Sequence, residues 1–180
     1  FSMENLIFPG GVQDPVRLGK GDMEEWKDRY FAYYGIHKTG PPDQFQACVD
    51  EVCENYLVGL KFITLYYFRG CPSWEWFYHQ DFPPFLSDVQ SFILRRGTSF
   101  RISEVTFQVC GPVTPFEQLM SILPASRSDM LPEAVRPLMH NSMSQLGALI
   151  PQNYTQDLLG RDKFWQAVPM LPRMNMAVVR

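Results

Sequence analysis

The chain has 180 residues and a mass of 20.9 kDa, enough for one domain or a large piece of a longer protein. Aromatic residues make up 14% of it, which excludes a disordered chain. The net charge of −3 argues against a stand-alone nucleic-acid binder, because sequence-independent affinity comes from neutralising phosphates. The most apolar stretch, Tyr56 to Phe68, contains Lys61 and is far shorter than the ~20 residues of a bilayer span, so no membrane partner is expected.

The first part of the chain changes from a loop to a helix. Residues 1–22 are rich in Gly and Pro and are predicted to form an extended arm. A helix is predicted from Met23 to Tyr34, with Gly35 as its stop. Its aromatic residues recur at steps of three and four: Trp26, Tyr30, Phe31 and Tyr34.

A long helix is predicted next, capped by Asp43 and running to about Arg69, with Gly70 and Pro72 ending it. One face carries apolar residues at helical spacing: Val49, Val52, Cys53, Tyr56, Leu60, Ile63 and Tyr67. The opposite face begins polar and turns apolar from Phe62 onward. We therefore expect the first half to be partly exposed and the second half to be buried on all sides.

The remaining elements are short. A helix is predicted from about Pro84 to Arg95, with Val89, Phe92 and Ile93 facing inward, and Phe100 to Gln108 is predicted to be a strand or extended segment. Short helices are predicted at 115–123, 132–139 and 162–168. The fold class expected is therefore mainly α, with long aromatic-rich loops and at most a short strand or two.

Hydrolytic and redox signatures are missing from the sequence, which has no G-x-S-x-G, Gly-rich phosphate loop or H-E-x-x-H. The closest acidic set, Asp50, Glu51 and Glu54, is most simply a solvated helix face. No catalytic residue and no metal ligand is therefore predicted in this chain. Three histidines are isolated from one another in sequence: His37, His79 and His140.

Four cysteines include no C-x-x-C pair, which disfavours a zinc site. Reduced, mostly buried thiols are the simpler interpretation. They indicate a cytoplasmic or nuclear location.

Two tryptophans lie two positions apart in the aromatic loop after the long helix. Trp74 and Trp76 offer rigid flat surfaces, and stacking on a base is worth ~1–3 kcal/mol. The alternative is that the pair seals a core or an interdomain contact. Composition alone favours this second interpretation.

The run Tyr66 to Asp88, which includes Gly70-Cys71-Pro72-Ser73-Trp74-Glu75-Trp76, resembles the second conserved region of the XRN-family 5′→3′ exoribonucleases. Further segments resemble the family in the same order, over roughly residues 12 to 172. They are Trp26–Phe31, Tyr56–Lys61, Pro115–Met120 with Leu123-Pro124, Leu131–Met139, Asp157–Arg161 and Trp165–Val168.

This resemblance implies that residues 23–172 form the second conserved region and that 173–180 are a tail. The parent protein would degrade single-stranded RNA from a 5′-monophosphate end to mononucleotides. An upstream α/β catalytic region of the same protein would pack against this chain. That region would supply the basic residues for the phosphate and the carboxylates for Mg²⁺ (or Mn²⁺).

The resemblance also implies a role for this chain. It would narrow the active-site pocket, and Trp74 or Trp76 would stack on a base near the 5′ end. Trp76 is preferred because it lies further from the helix end and is expected to project more. Whether this chain alone is an enzyme is left open, although the missing acidic cluster disfavours an isolated nuclease.

Some positions depart from the family pattern. A Pro and a His of the family are replaced here by His79 and Asp81, and an Asn is replaced by Leu159. These departures indicate a divergent member. They also keep a second hypothesis open, that the chain is a non-catalytic helical protein-interaction module derived from the same fold.

Overall fold

The computed structural model describes residues 15–17, 19–141, 143–151, 153–159, 161, 163–174 and 176–179. It divides into two compact units, an N-terminal unit, Pro15–Gly111, and a C-terminal unit whose described residues begin at Pro112. Most of the predicted arm, residues 1–14, lies outside the described residues, so the arm stays a prediction. The boundaries 23–172 and 173–180 also stay predictions.

The N-terminal unit consists of three helices, α1 (Met23–Tyr33), α2 (Pro42–Arg69) and α3 (Leu86–Arg96). Two 3₁₀ turns follow, Gly97–Ser99 and Ile102–Glu104. The core of this unit is largely aromatic and β-branched: Tyr30, Phe31, Val49, Val52, Cys53, Phe82, Val89 and Phe92. Together with the C-terminal unit, this arrangement confirms a mainly α fold.

The ends of the first two helices follow from Gly and Pro. Gly35, just after α1, has a φ of +84°, a left-handed conformation that side chains rarely adopt. The prediction that Asp43 caps α2 is wrong, since the cap residue is Pro41 and no side chain bonds to the helix end. Pro42 opens the helix instead, because its ring presets φ and its missing N–H is one that has no helical partner there.

The predicted burial of α2 is right for its first half, which is partly exposed with one buried face, and wrong for its second half. Val49, Val52 and Cys53 of its first half are buried, whereas Tyr67 is 77% and Phe68 81% exposed. Helix length explains the difference. The 28 residues of α2 span about 42 Å, but the 11 residues each of α1 and α3 span only about 16 Å and cannot cover it.

The segment around α3 also differs from the prediction. Val89 and Phe92 are buried as expected, but Ile93 is 49% exposed. No strand forms over Phe100–Gln108, whose regular structure is limited to the 3₁₀ turn Ile102–Glu104. The flanking residues Arg101 and Val105 are extended, which matches the other alternative predicted, an extended segment.

The C-terminal unit has short elements: α4 (Pro115–Ile122), a 3₁₀ helix Ala125–Met130, α5 (Arg136–His140), α6 (Gln145–Leu149), β1 (Thr155–Asp157), a 3₁₀ turn Phe164–Gln166, β2 (Val168–Met170) and α7 (Met176–Val179). The two strands pair antiparallel, with Thr155 opposite Met170 and Asp157 opposite Val168. The core of this unit is Met120, Leu131, Met139, Leu146 and Val179.

Three helices were predicted in this unit with mixed outcomes. The first is α4, and a capping box begins it, because Thr114 Oγ1 accepts from the Glu117 N–H and Glu117 Oε2 accepts from the Thr114 N–H. The helix predicted at 132–139 is reduced to α5, and the one at 162–168 is a 3₁₀ turn leading into β2. Within the described part of the chain, no helix has the length and apolar character needed to cross a membrane.

Candidate functional site

Ser73 shapes the loop that carries the two tryptophans. Ser73 is buried, and its Oγ accepts hydrogen bonds from the backbone N–H groups of Glu75 at 3.3 Å and Trp76 at 3.2 Å. A serine hydroxyl bonded to N–H groups two and three residues ahead closes a tight local turn. The turn fixes the backbone conformation from which the side chains of Trp74 and Trp76 project.

Two cysteines form hydrogen bonds with the same turn. The Trp74 N–H donates to Cys110 Sγ at 3.2 Å, and that sulfur lies 3.4 Å from Ser73 Oγ. Cys71 Sγ donates to the Ser73 carbonyl oxygen at 3.2 Å. All four cysteines of the chain are free, so these thiols act as weak hydrogen-bonding groups and not as disulfide partners.

Trp76 packs into the unit. Its indole is stacked on the Phe62 ring, with centroids 4.6 Å apart and planes 26° from parallel, and Phe107 meets it edge-on at 5.5 Å. It also approaches Gly59 of α2, where an added Cβ would lie 3.4 Å from the Trp76 Cη2 atom. The side chain is therefore half-buried.

Lys61 holds the segment that bears Phe107. Its ammonium donates to three backbone carbonyls, those of Ile102 at 2.7 Å, Ser103 at 3.1 Å and Val105 at 2.6 Å. A lysine in the middle of an apolar stretch thus ties the 3₁₀ turn after α3 to α2. This contact sets the position from which Phe107 reaches Trp76.

Trp74 is the more exposed of the two tryptophans, with 57% of its surface accessible. In the part of the chain that the structure describes, no other aromatic ring packs against it, whereas Trp76 has three such neighbours, Phe62, Phe107 and His79. This exposure runs against the reason for preferring Trp76, namely that it projects further. The stacking role of either residue remains a prediction.

After the tryptophan turn, His79 is hydrogen-bonded to α2 and Tyr78 is hydrogen-bonded within its own loop. The His79 N–H donates to Asn55 Oδ1 at 2.9 Å, and the Asn55 side-chain nitrogen lies 3.3 Å from His79 Nδ1. The Tyr78 hydroxyl donates to the Phe82 carbonyl at 2.8 Å. Burial, with smaller contributions from Cys53 and Tyr56, raises the pKa of Tyr78 to about 12, so its phenol stays protonated at neutral pH.

The acidic set on α2 is paired with α3. Arg95 forms an ion pair with Asp50, which is 19% exposed, and Arg96 forms one with Glu54, which is 44% exposed, so the predicted solvated face holds for Glu54 and not for Asp50. Among the residues described, no group of three or more His, Cys, Asp or Glu side chains comes together as a metal site requires. The described residues therefore do not form a metal centre.

The second half of α2 exposes a surface rich in apolar side chains. We call it the α2 apolar surface, and it consists of Leu60, Ile63, Tyr66, Tyr67 and Phe68. Apolar patches of this kind on a soluble domain are typical of surfaces that contact another protein. From the sequence, these apolar side chains were predicted to lie in the core of this chain, whereas the structure exposes them.

Several residues of the site were not singled out from the sequence. Ser73 has a local signal, a serine after Pro72 with aromatic residues ahead of it, and that pattern is typical of a turn. Cys110, Phe107 and Lys61 have none, because their partners lie more than thirty residues away along the chain.

Comparison with known proteins connects this geometry to a family. The sequence matches the family described as the Xrn1 helical domain over residues 4–178. It is 37% identical over 166 residues to 5′-3′ exoribonuclease 2 of Gibberella zeae, covering 92% of this chain and 15% of that protein. It is 35% identical over 151 residues to 5′-3′ exoribonuclease 1 of Schizosaccharomyces pombe (84% and 10%), and 32% over 155 residues to 5′-3′ exoribonuclease 2 of Candida albicans (84% and 15%). The chain thus spans 10–15% of the length of these relatives.

Proposed function

Because this chain belongs to the Xrn1 helical domain family, we propose that it is part of a 5′→3′ exoribonuclease that degrades 5′-monophosphorylated single-stranded RNA to mononucleotides. Support comes from relatives that carry the name 5′-3′ exoribonuclease and match most of this chain. Since the chain spans a small part of their length, the remaining functions of such an enzyme fall to other regions. We assign the carboxylates that bind Mg²⁺ or Mn²⁺, and the basic residues for the 5′ phosphate, to an upstream region.

The net charge of this chain supports that division. At −3, the chain carries more acidic than basic side chains, so phosphate neutralisation is better supplied elsewhere in the protein. The free cysteines support a reducing compartment, and we propose a cytoplasmic or nuclear location.

The role proposed for this chain is to gate the active site and to supply a wall on which a base stacks. The observation that supports it best is the Trp74 indole, 57% exposed on a turn that Ser73 and Cys110 hold in place. A rigid exposed indole can stack on any base without sequence preference, because every base has a π-face. Such a contact is compatible with an exonuclease that removes all four nucleotides in turn.

Substitution of Trp74 in the full-length protein tests this role. We expect Trp74→Ala to weaken binding of 5′-phosphorylated single-stranded RNA by about 5- to 150-fold, the equivalent of one lost base–aromatic stack. The midpoint of thermal unfolding should stay within about a degree or two, because the indole makes few contacts with the domain. Binding by fluorescence anisotropy and degradation rate with magnesium are the measurements, and Trp74→Phe is the matched control that keeps a stacking ring.

Trp76→Ala is expected to behave differently. Its indole packs on Phe62 and Phe107, so truncation should lower the free energy of unfolding by about 2 kcal/mol as well as affect activity. Wild-type binding and degradation in both Ala variants would contradict the stacking wall. An RNA-binding defect in Trp76→Ala alone, with unchanged unfolding, would reassign the stack to Trp76.

A non-catalytic interaction module is the second candidate, and the α2 apolar surface is the observation in its favour. The exposed side chains of Tyr67 and Phe68 are suited to contact with the upstream region of an exoribonuclease or with a separate protein partner. An assay of this chain, alone and mixed with its upstream region, on 5′-phosphorylated RNA with magnesium separates the two candidates. Degradation only in the mixture supports the exoribonuclease, and no degradation with both pieces folded supports the interaction module.

A further inference from the structure

The C-terminal end of α3 carries two adjacent arginines followed by two hydroxyl residues, in the order Arg95-Arg96-Gly97-Thr98-Ser99. Arg96 is the last helical residue, and Gly97 ends the helix with a φ of +51°. Thr98 and Ser99 lie just outside the helix in an exposed 3₁₀ turn. Their hydroxyls are therefore accessible to an enzyme that modifies them.

The two hydroxyls differ in their contacts. Ser99 Oγ donates to the Arg96 carbonyl oxygen at 2.6 Å. The Thr98 hydroxyl makes no hydrogen bond to any residue that the structure describes, and its side chain is exposed. The Thr98 hydroxyl can therefore enter the active site of another protein without first losing a hydrogen bond within this chain.

Each arginine pairs with an acidic side chain of α2. Arg96 pairs with Glu54 at 3.5 Å, both side chains are almost half exposed, and the Arg96 guanidinium also lies 5.7 Å from the Phe92 ring centroid. Arg95 is 42% exposed and pairs with Asp50, which is only 19% exposed. The Arg96–Glu54 pair is of the exposed kind that contributes little to stability, whereas Arg95 gives up a more buried partner when it transfers to acidic groups on another protein.

The last turn of α3 can open to present them. Ile93, Leu94, Arg95 and Arg96 are all exposed, so unwinding this turn removes little buried surface. Helix ends open locally at a low free-energy cost. Opening would extend the segment from Arg95 to Ser99, the form that the substrate cleft of a protein kinase accepts.

We propose that Thr98 is a phosphorylation site for a serine/threonine protein kinase that selects arginine three and two positions before the acceptor. Arg95 and Arg96 occupy these two positions, and they pair with acidic side chains of the kinase. ATP is the phosphoryl donor. The Thr98 Oγ atom forms a bond to the γ-phosphorus as the bond from that phosphorus to the β–γ bridging oxygen breaks, ADP leaves, and the hydroxyl proton passes to the kinase's base.

The modification has a local consequence in the fold. A phosphate on Thr98 adds about −1.5 to −2 units of charge next to Arg95 and Arg96 and competes for them with Asp50 and Glu54. The arginines then turn from α2 to the phosphate. Two of the charged links between α2 and α3 are lost, while the buried contacts of Val89 and Phe92 remain.

The test uses the full-length protein, ATP and the catalytic subunit of cAMP-dependent protein kinase, with phosphosites located by mass spectrometry. We expect phosphate on Thr98, its loss in Thr98→Ala and its retention in Ser99→Ala. Ser91 of α3 is an internal control, since it is exposed but no arginine precedes it at these positions, and it should stay unmodified.

A variant carrying both Arg95→Gln and Arg96→Gln tests the recognition step. We expect the initial rate of phosphorylation to fall at least about tenfold, as lost charge-assisted contacts require, with little change in the midpoint of unfolding. Phosphate on Ser99 alone, no incorporation into the full-length protein, or an undiminished rate in the double variant would each overturn the proposal. None of these outcomes depends on the nuclease activity proposed above.

Discussion

At the scale of single residues, a glycine decides where Trp76 lies. Gly59 is in the middle of α2, and the Trp76 indole lies over it at a distance that leaves room for one methyl group and no more. Phe62, one turn further along the same helix, stacks on the other part of that indole. The position of Trp76 therefore depends on there being no side chain larger than a methyl group at position 59.

Two substitutions of Gly59 are expected to have opposite effects. Gly59→Ala should leave stability unchanged or raise the free energy of unfolding by up to about 1 kcal/mol, because alanine favours the helix and its Cβ meets the indole at ordinary contact distance. Gly59→Leu should lower it by about 1–3 kcal/mol, since the larger side chain displaces the indole. Urea unfolding and near-ultraviolet circular dichroism measure both effects, and equal stability of the two variants would contradict this packing.

At the scale of elements, α1 and α3 are joined by a buried ion pair. The Lys27 ammonium donates to Asp88 Oδ1 at 2.7 Å and to Ser87 Oγ at 2.8 Å, and the two charged side chains are 9% and 15% exposed. The second oxygen of Asp88, Oδ2, is buried and has no hydrogen-bond partner among the described residues. Lys27 is therefore the main compensation for a carboxylate held out of water.

Removal of that compensation should be costly. Lys27→Met keeps the aliphatic stem but leaves the Asp88 carboxylate buried and unpaired, so we expect the free energy of unfolding to fall by about 3–5 kcal/mol. Adding Asp88→Leu to that variant should recover most of the loss. Lys38→Met is the matched control, because Lys38 and Asp28 form an exposed pair whose loss should cost about 0–1 kcal/mol.

Chemical denaturation of these variants checks the prediction. The informative comparison is between the single and double substitutions. A double variant no more stable than Lys27→Met would show that the loss comes from packing of the lysine stem and not from the unpaired charge.

At the scale of the whole molecule, the described residues of the N-terminal unit leave the α2 apolar surface exposed. Its exposed aromatic residues Tyr67 and Phe68 lead directly into the loop that carries Trp74. Since the chain spans 10–15% of the length of its relatives, a large part of such a protein is available to cover it. We propose that the upstream region does so and thereby places the Trp74 turn at the active site.

Substitution of Phe68 tests this docking. We expect Phe68→Ser to lower the midpoint of thermal unfolding of the full-length protein. The midpoint of the 180-residue chain should stay unchanged, because the exposed Phe68 side chain makes few contacts there that the substitution could remove. Co-purification of the chain with its separately expressed upstream region should fall by about tenfold or more, since an aromatic anchor is lost.

Met143→Ser is the control, as Met143 is a highly exposed apolar residue of the C-terminal unit. It should affect neither measurement. An equal effect of Phe68→Ser on both lengths of protein would mean that Phe68 contributes to the fold of this chain and not to docking.

Much of the fold could be predicted from local patterns. The aromatic spacing from Trp26 to Tyr34 predicts α1, and the Pro and Gly residues flanking α2 and α3 predict their ends to within a few residues. Helix α6 was missed because five residues give too little periodicity to recognise, although Ser144 caps it.

The candidate site was predictable only in part. The motif around Trp74 and Trp76 could be recognised, and so could the family. Which indole is exposed could not, because it depends on Phe107 and Cys110, which lie more than thirty residues further along the chain.

The sequence by itself determined the mainly helical class, the ends of the long helices and the membership in the Xrn1 helical domain family. These properties depend on neighbours within a few turns of helix or on motifs read in order. Only the tertiary structure decided that the second half of α2 is exposed and that Trp76 packs inward while Trp74 faces solvent. Hydrophobic burial depends on which distant segments are long enough to reach a surface, and that is a property of the packed chain and not of its local pattern.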